Sequence, residues 1–179
     1  DPLHACLRQL ARLRTDAGVL GCLGNHEVYA RCQEEAERAG RRLGIYFLRG
    51  ENRLLRFGDA TLNIGGVDWR RGPRVAPGAE RLLVAGATNL LLCHNPNGFD
   101  DAAAQGWAVT LSGHTHGGQV AMDVFNCDIN PARFFTPYVH GLYRKGQNSL
   151  YVTRGIGTVG LPARIGAPPE IALVRLCAI

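Results

Sequence analysis

Lysine is almost missing from this chain, and that scarcity narrows its class before any motif is read. Lys145 is the one lysine, so the formal net charge of +5 rests almost wholly on arginine. No aromatic residues are interleaved with those arginines as single-strand binders require, so no specific nucleic-acid partner is expected. Arg38, Arg41 and Arg42 cluster, as do Arg70, Arg71 and Arg74. Both sets suit attraction of phosphate-bearing or anionic-lipid partners, and equally an ordinary solvated surface. Long apolar runs are absent: none approaches the roughly 20 residues of a membrane-spanning helix. The opening Asp1-Pro2-Leu3-His4 is neither a Met start nor a basic leader, so the chain reads as a fragment. Cytoplasmic and membrane-associated locations both stay open. The six cysteines show no CxxC and no tight spacing, and they are expected to be reduced thiols.

What is present suits one globular α/β domain over residues 1–179, with 46% hydrophobic residues and 23 glycines. Apolar residues at 3, 7, 10 and 13 predict a helix over 3–14. A short strand over 19–23 runs into Gly24-Asn25-His26-Glu27, and a second helix is expected over 29–42. Residues 45–48 read as a strand. Residues 53–57 and 61–67 read as a hairpin about Gly58-Asp59, and 79–87 as weakly helical. Apolar runs at 89–93 and 108–111 bracket a helix over 99–105. Further strands are expected at 119–122, 142–144, 150–153 and 171–176.

Four of the six histidines lie in polar turns just after apolar strands. They are His26 beside Asn25, His94, and the pair His114 and His116. Strand-end loops are where α/β folds build ligand sites. Imidazole suits zinc, iron or manganese, and an amide oxygen suits the harder end of that range. In an extended turn His114 and His116 point the same way, and Gly113, Gly117 and Gly118 let backbone approach closely.

Gly24-Asn25-His26-Glu27, Cys93-His94-Asn95-Pro96 and Gly113-His114-Thr115-His116 resemble the last three motifs of the calcineurin-like metallophosphoesterases. The stretch from Tyr151 to Gly157, with Leu161-Pro162-Ala163-Arg164 and Pro169-Glu170, is similar to the bacterial YkuE/YaeI-type phosphodiesterase branch. The resemblance covers essentially the whole chain. It implies a sandwich of two mixed β-sheets flanked by helices, and two divalent metal ions (Mn, Fe or Zn). Asn25, His94 and His114 would hold one metal and His116 the other. His26 would be catalytic, contacting phosphate and serving the leaving oxygen, while Glu27 would orient a histidine from behind. The implied reaction is hydrolysis of a phosphate ester by a metal-bridging hydroxide. Members of the branch act near membranes, often behind an N-terminal anchor, so membrane association through an upstream segment is expected. A phospholipid or a nucleotide-linked lipid is a candidate substrate.

The family pattern also has an Asp-x-His and a Gly-Asp upstream of these motifs. This sequence contains neither there, and Gly58-Asp59 reads as a hairpin turn rather than a bridging carboxylate. The expectation is therefore an N-terminally incomplete sandwich with half the metal site and an exposed, association-prone edge. A catalytically inactive fragment binding at most one metal is the alternative. A metallo-β-lactamase-like site ranks behind both, because His114-Thr115-His116 is followed by Gly117-Gly118-Gln119 instead of an Asp-His. Arg164 is a candidate phosphate contact, or else a structural partner of Glu170. His140 is a candidate at the rim of the site.

Overall fold

The structure is a computed structural model and describes residues 1–124 and 127–177. Helix α1 (Pro2–Leu10) is capped by Asp1, whose carboxylate accepts the Leu3 N–H. Strand β1 (Val19–Gly21) leads into α2 (Asn25–Ala30), then α3 (Gln33–Arg42) and β2 (Ile45–Phe47). The single helix expected over 29–42 is in fact two. Arg31 takes a left-handed φ of 54° and returns its N–H to Glu27 and Val28. That is a helix end without the glycine that normally signals one.

A hairpin follows, β3 (Glu51–Phe57) and β4 (Ala60–Val67), closed by Gly58-Asp59 as the sequence predicts. Then come β5 (Thr88–Cys93), α4 (Phe99–Gln105) and β6 (Val109–Ser112). After β7 (Met122–Val124) and β8 (Cys127–Ile129) the chain forms β9 (Gly141–Lys145) and β10 (Asn148–Val152). Three expectations do not hold. Residues 119–122 form no strand of their own: a 3-10 turn, His116–Gly118, is capped by Gln119, and β7 begins only at Met122. Helix over 79–87 shrinks to a single 3-10 turn, Ala79–Leu82. Residues 171–176 form no strand: Ile171 and Leu173 are 89% and 98% exposed, with no neighbouring strand to pair.

The α/β class holds. Six strands make one mixed sheet in the order β3-β4-β5-β6-β10-β9, while β1-β2 and β7-β8 form separate pairs. Strands β4, β5, β6 and β10 run parallel, so their C-terminal ends share one edge. The main core lies under α4 and joins Val67, Leu91, Cys93, Ala102 and Trp107. Gly65 is required there, because a Cβ would fall 2.4 Å from the Trp107 ring. A second cluster packs α1 and α3 on the small pair through Leu7, Ala39 and Ile45. The β1-β2 pair meets the six-stranded sheet where Leu48 lies against Gly66 and Arg49 joins Asp68 and Glu37. Asn63 is fully buried but satisfied, bonding Asn52, Asn89 and the Leu82 carbonyl.

Candidate metal centre

Each ligand candidate begins where a strand stops. Beyond β1, Gly24 caps α2, and the Glu27 carboxylate accepts the Gly24 N–H at 2.8 Å. This is the reciprocal half of a capping box, because glycine has no side chain to supply the other half, so Glu27 serves the helix end; the expected bond to a histidine is replaced by one to backbone. Glycine at 24 has a second reason: a Cβ there would lie 2.8 Å from His94 Cε1. Beyond β5 comes His94, and beyond β6 come Gly113 and His114, whose φ is 73°. The Gly113 N–H donates to the His94 carbonyl at 3.2 Å, tying the two strand ends together. Thr115 pins the turn by donating its hydroxyl to the Val139 carbonyl at 2.6 Å.

These elements bring three ligand atoms to one point. Asn25 Oδ1 lies 3.0 Å from His94 Nε2 and 3.1 Å from His114 Nδ1. Ligand atoms each about 2.1 Å from a shared ion sit about 3.0 to 3.4 Å apart, so the spacing fits one metal. The donor set, two imidazoles and an amide oxygen, fits a divalent ion of the manganese, iron or zinc class. Asn25 is buried at the floor while His114 faces solvent, so the site is open on one side. The His94 and His114 ring centroids are 5.0 Å apart. Trp69 stacks obliquely near His114, and Tyr29 meets Trp69 edge-on at 5.5 Å. Sequence reasoning missed this aromatic wall. Its one signal is that Trp69 also follows a strand end, that of β4.

Electrostatics mark the same patch. Burial pushes the His94 pKa down to about 4, with further lowering from His114, His116 and His26. His114 is lowered too, by burial first and then by His116 and His26. A buried ring flanked by other imidazoles stays neutral and keeps a lone pair for a metal.

The remaining candidates fall around this point. His26 is exposed in the first turn of α2, beside Asn25 and 6.4 Å from the Tyr29 ring. His116 sits on the next turn with φ 53°, its Nδ1 3.1 Å from the Gly157 carbonyl oxygen. Arg164 does not present a free fork to phosphate. Its guanidinium donates to the carbonyls of His116, Arg154, Gly155, Gly157 and Ala167. Nor does it pair with Glu170, which instead accepts from the Tyr151 hydroxyl and faces Arg154. His140 is exposed, with Nδ1 3.4 Å from Arg154 Nη2. Asp59 stays in the hairpin turn. Elsewhere, Asp1, His4 and Glu35 bring one ligand atom each within 4.8 Å of one another. A helix cap and a His4–Glu35 pair at 3.1 Å account for that group.

No protein-family profile matches the chain. It is similar to Cj0846 of Campylobacter jejuni, named as an uncharacterized metallophosphoesterase. Identity is 33% over 165 residues, covering 89% of this chain and 42% of that protein. It is 36% identical over 88 residues to the uncharacterized metallophosphoesterase YkuE of Bacillus subtilis, covering 49% of this chain and 30% of YkuE. Phosphodiesterase YaeI of Escherichia coli is 28% identical over 173 residues, covering 93% of this chain and 61% of YaeI. The chain thus spans between 30% and 61% of the length of these relatives.

Proposed function

The chain belongs to the metallophosphoesterases, and from that premise we propose a metal-dependent phosphodiesterase site in which Asn25, His94 and His114 hold one divalent ion. One observation carries the reading: the convergence of Asn25 Oδ1 with His94 Nε2 and His114 Nδ1 at 3.0 and 3.1 Å. When bound, such an ion neutralises charge on the phosphate and lowers the pKa of water, together removing several kcal/mol from the barrier. The chain's own residues do the rest. Asn25 and His94 fix the ligand set from the buried side. His26, exposed one residue along, donates an N–H to a phosphate oxygen and delivers a proton to the departing alcohol. The Trp69 and Tyr29 rings shield one flank from water. His116 is the ligand for a second ion.

The alcohol part of the substrate is apolar on this reading, and a phospholipid or nucleotide-linked lipid fits it. A cavity of about 290 Å³ is lined by His114, His116, Phe135 and Val159 among others. Phe134 and Phe135 are 89% and 81% exposed beside it. No helix among the described residues is long and apolar enough to cross a membrane.

A second reading draws on the donor set, in which three atoms converge while His116 Nδ1 meets the Gly157 carbonyl: the chain binds one ion and does not turn over substrate. Hydrolysis of bis(p-nitrophenyl) phosphate by the manganese- or zinc-loaded protein separates the two. The first reading expects metal-dependent turnover that His26→Gln lowers by about 100-fold or more. Metal binding without turnover supports the second, and turnover unaffected by chelation contradicts both.

A further inference from the structure

We infer that Arg164 is a positioning residue for His116, locking that ring in the tautomer that leaves Nε2 free to face an ion. The inference rests on the reading of His116 as a metal-facing histidine. A backbone carbonyl can only accept a hydrogen bond, so at the 3.1 Å contact with Gly157 the donor is His116 Nδ1–H. The lone pair of the neutral ring then lies on Nε2. That same Gly157 oxygen accepts from Arg164 Nε at 3.0 Å and from Nη2 as well. Arg164 Nη1 meanwhile donates to the His116 carbonyl at 3.1 Å. One guanidinium therefore grips the histidine's own backbone and the carbonyl its ring leans on.

The grip has strain to hold. His116 and Gln119 both have positive φ, 53° and 57°, which non-glycine residues adopt at a cost. Residues 155–167 cross this turn, tied to it by a short backbone bridge, in which the Ile165 N–H donates to the Gln119 carbonyl at 2.9 Å and the Ala121 N–H to the Ile165 carbonyl at 2.8 Å, and by side chains. Arg164 also takes the carbonyls of Arg154 at 2.9 Å, Gly155 at 3.2 Å and Ala167 at 3.0 Å. Gln119 adds the carbonyls of Val159 and Leu161, each at 2.9 Å. Only a planar fork with five N–H groups can serve so many carbonyls at once. The ammonium of lysine has three donors on one nitrogen and cannot replace it.

The test is nitrogen-15 NMR of the histidine rings in metal-free protein at roughly pH 8.5, above the usual histidine range. His116→Gln identifies the signal. Wild type is expected to show the Nδ1–H tautomer, and Arg164→Lys a mixture of tautomers. Zinc titration should show the ion held through His116 bound about 10- to 100-fold more weakly in Arg164→Lys, the range typical when a ligand loses its supporting bonds. An Nε2–H tautomer in wild type overturns the inference, whether or not the variant folds. So does an unchanged tautomer and zinc affinity in folded Arg164→Lys. If the variant mixes tautomers but neither protein binds an ion through His116, the clamp stands and the metal role of His116 falls.

Discussion

Two halves of the histidine patch are built by different means. Asn25, His94 and His114 issue from a helix start and two strand ends, whose positions are set by packed sheets and backbone ladders. His116 depends instead on residues 155–167, joined to its turn by a short backbone bridge at Ile165 and by the donor groups of Arg164 and Gln119. In the first half the fold itself brings His94 Nε2 and His114 Nδ1 to within 3.1 Å of Asn25 Oδ1. In the second, two long side chains reinforce that short bridge. A site of this kind therefore has a rigid half, sensitive to its ligands and their packing, and a laced half, sensitive to residues that never touch the metal.

Removing a ligand from the rigid half should have the largest effect. Asn25→Ala or His94→Ala is expected to weaken manganese or zinc binding by more than about 100-fold, read by calorimetric titration. Retained affinity would break the contrast at its root. Next in size is the response to acid. The folded-state pKa of His94 is depressed by burial to about 4, from an ordinary histidine value of about 6.5. The unfolded chain therefore takes up the proton first, and the contribution to stability, about 3 kcal/mol at most, is lost as pH falls from 6.5 towards 4. Thermal melts of the metal-free protein should show this slope, and His94→Gln should flatten it.

How much of this was legible beforehand follows the same division. Strand β5 and the turn at His94 are plain in sequence, because an apolar run stops abruptly at a polar His-Asn-Pro. The hairpin about Gly58-Asp59 is plain for a similar reason. The break at Arg31 was hidden, since neither glycine nor proline marks it and the left-handed residue is an arginine. Apolar residues at 171–176 suggest a strand, but strand formation needs an edge to pair with, and among the described residues the segment pairs with none. Arg164 could be singled out as an arginine near the site, yet its partners are carbonyls, which every residue possesses and no pattern reveals. Trp69 and Tyr29 gave no chemical signal at all. Their role comes from where the ends of β1 and β4 lie.

Smaller effects sharpen the comparison. Gly24→Ala places a Cβ 2.8 to 3.0 Å from His94 ring atoms. It is expected to cost about 1 to 3 kcal/mol in a denaturant melt and to weaken metal binding by roughly tenfold, because the ring itself must move. Gly24 has φ −99°, so backbone strain plays no part. Glu27→Ala should be mildest, costing about 0.5 to 1 kcal/mol through loss of the carboxylate's bond to the Gly24 N–H. Metal affinity should then change by less than about threefold, because Glu27 bonds the Gly24 N–H and leaves the ligands alone. A large loss of affinity in that variant would restore Glu27 to the ligand shell.

The most direct measurement is the anomalous diffraction signal of crystals grown with zinc, recorded on both sides of the zinc absorption edge. A peak is expected within about 2.0 to 2.3 Å of Asn25 Oδ1, His94 Nε2 and His114 Nδ1. No peak there, or one confined to Asp1, His4 and Glu35, would contradict it.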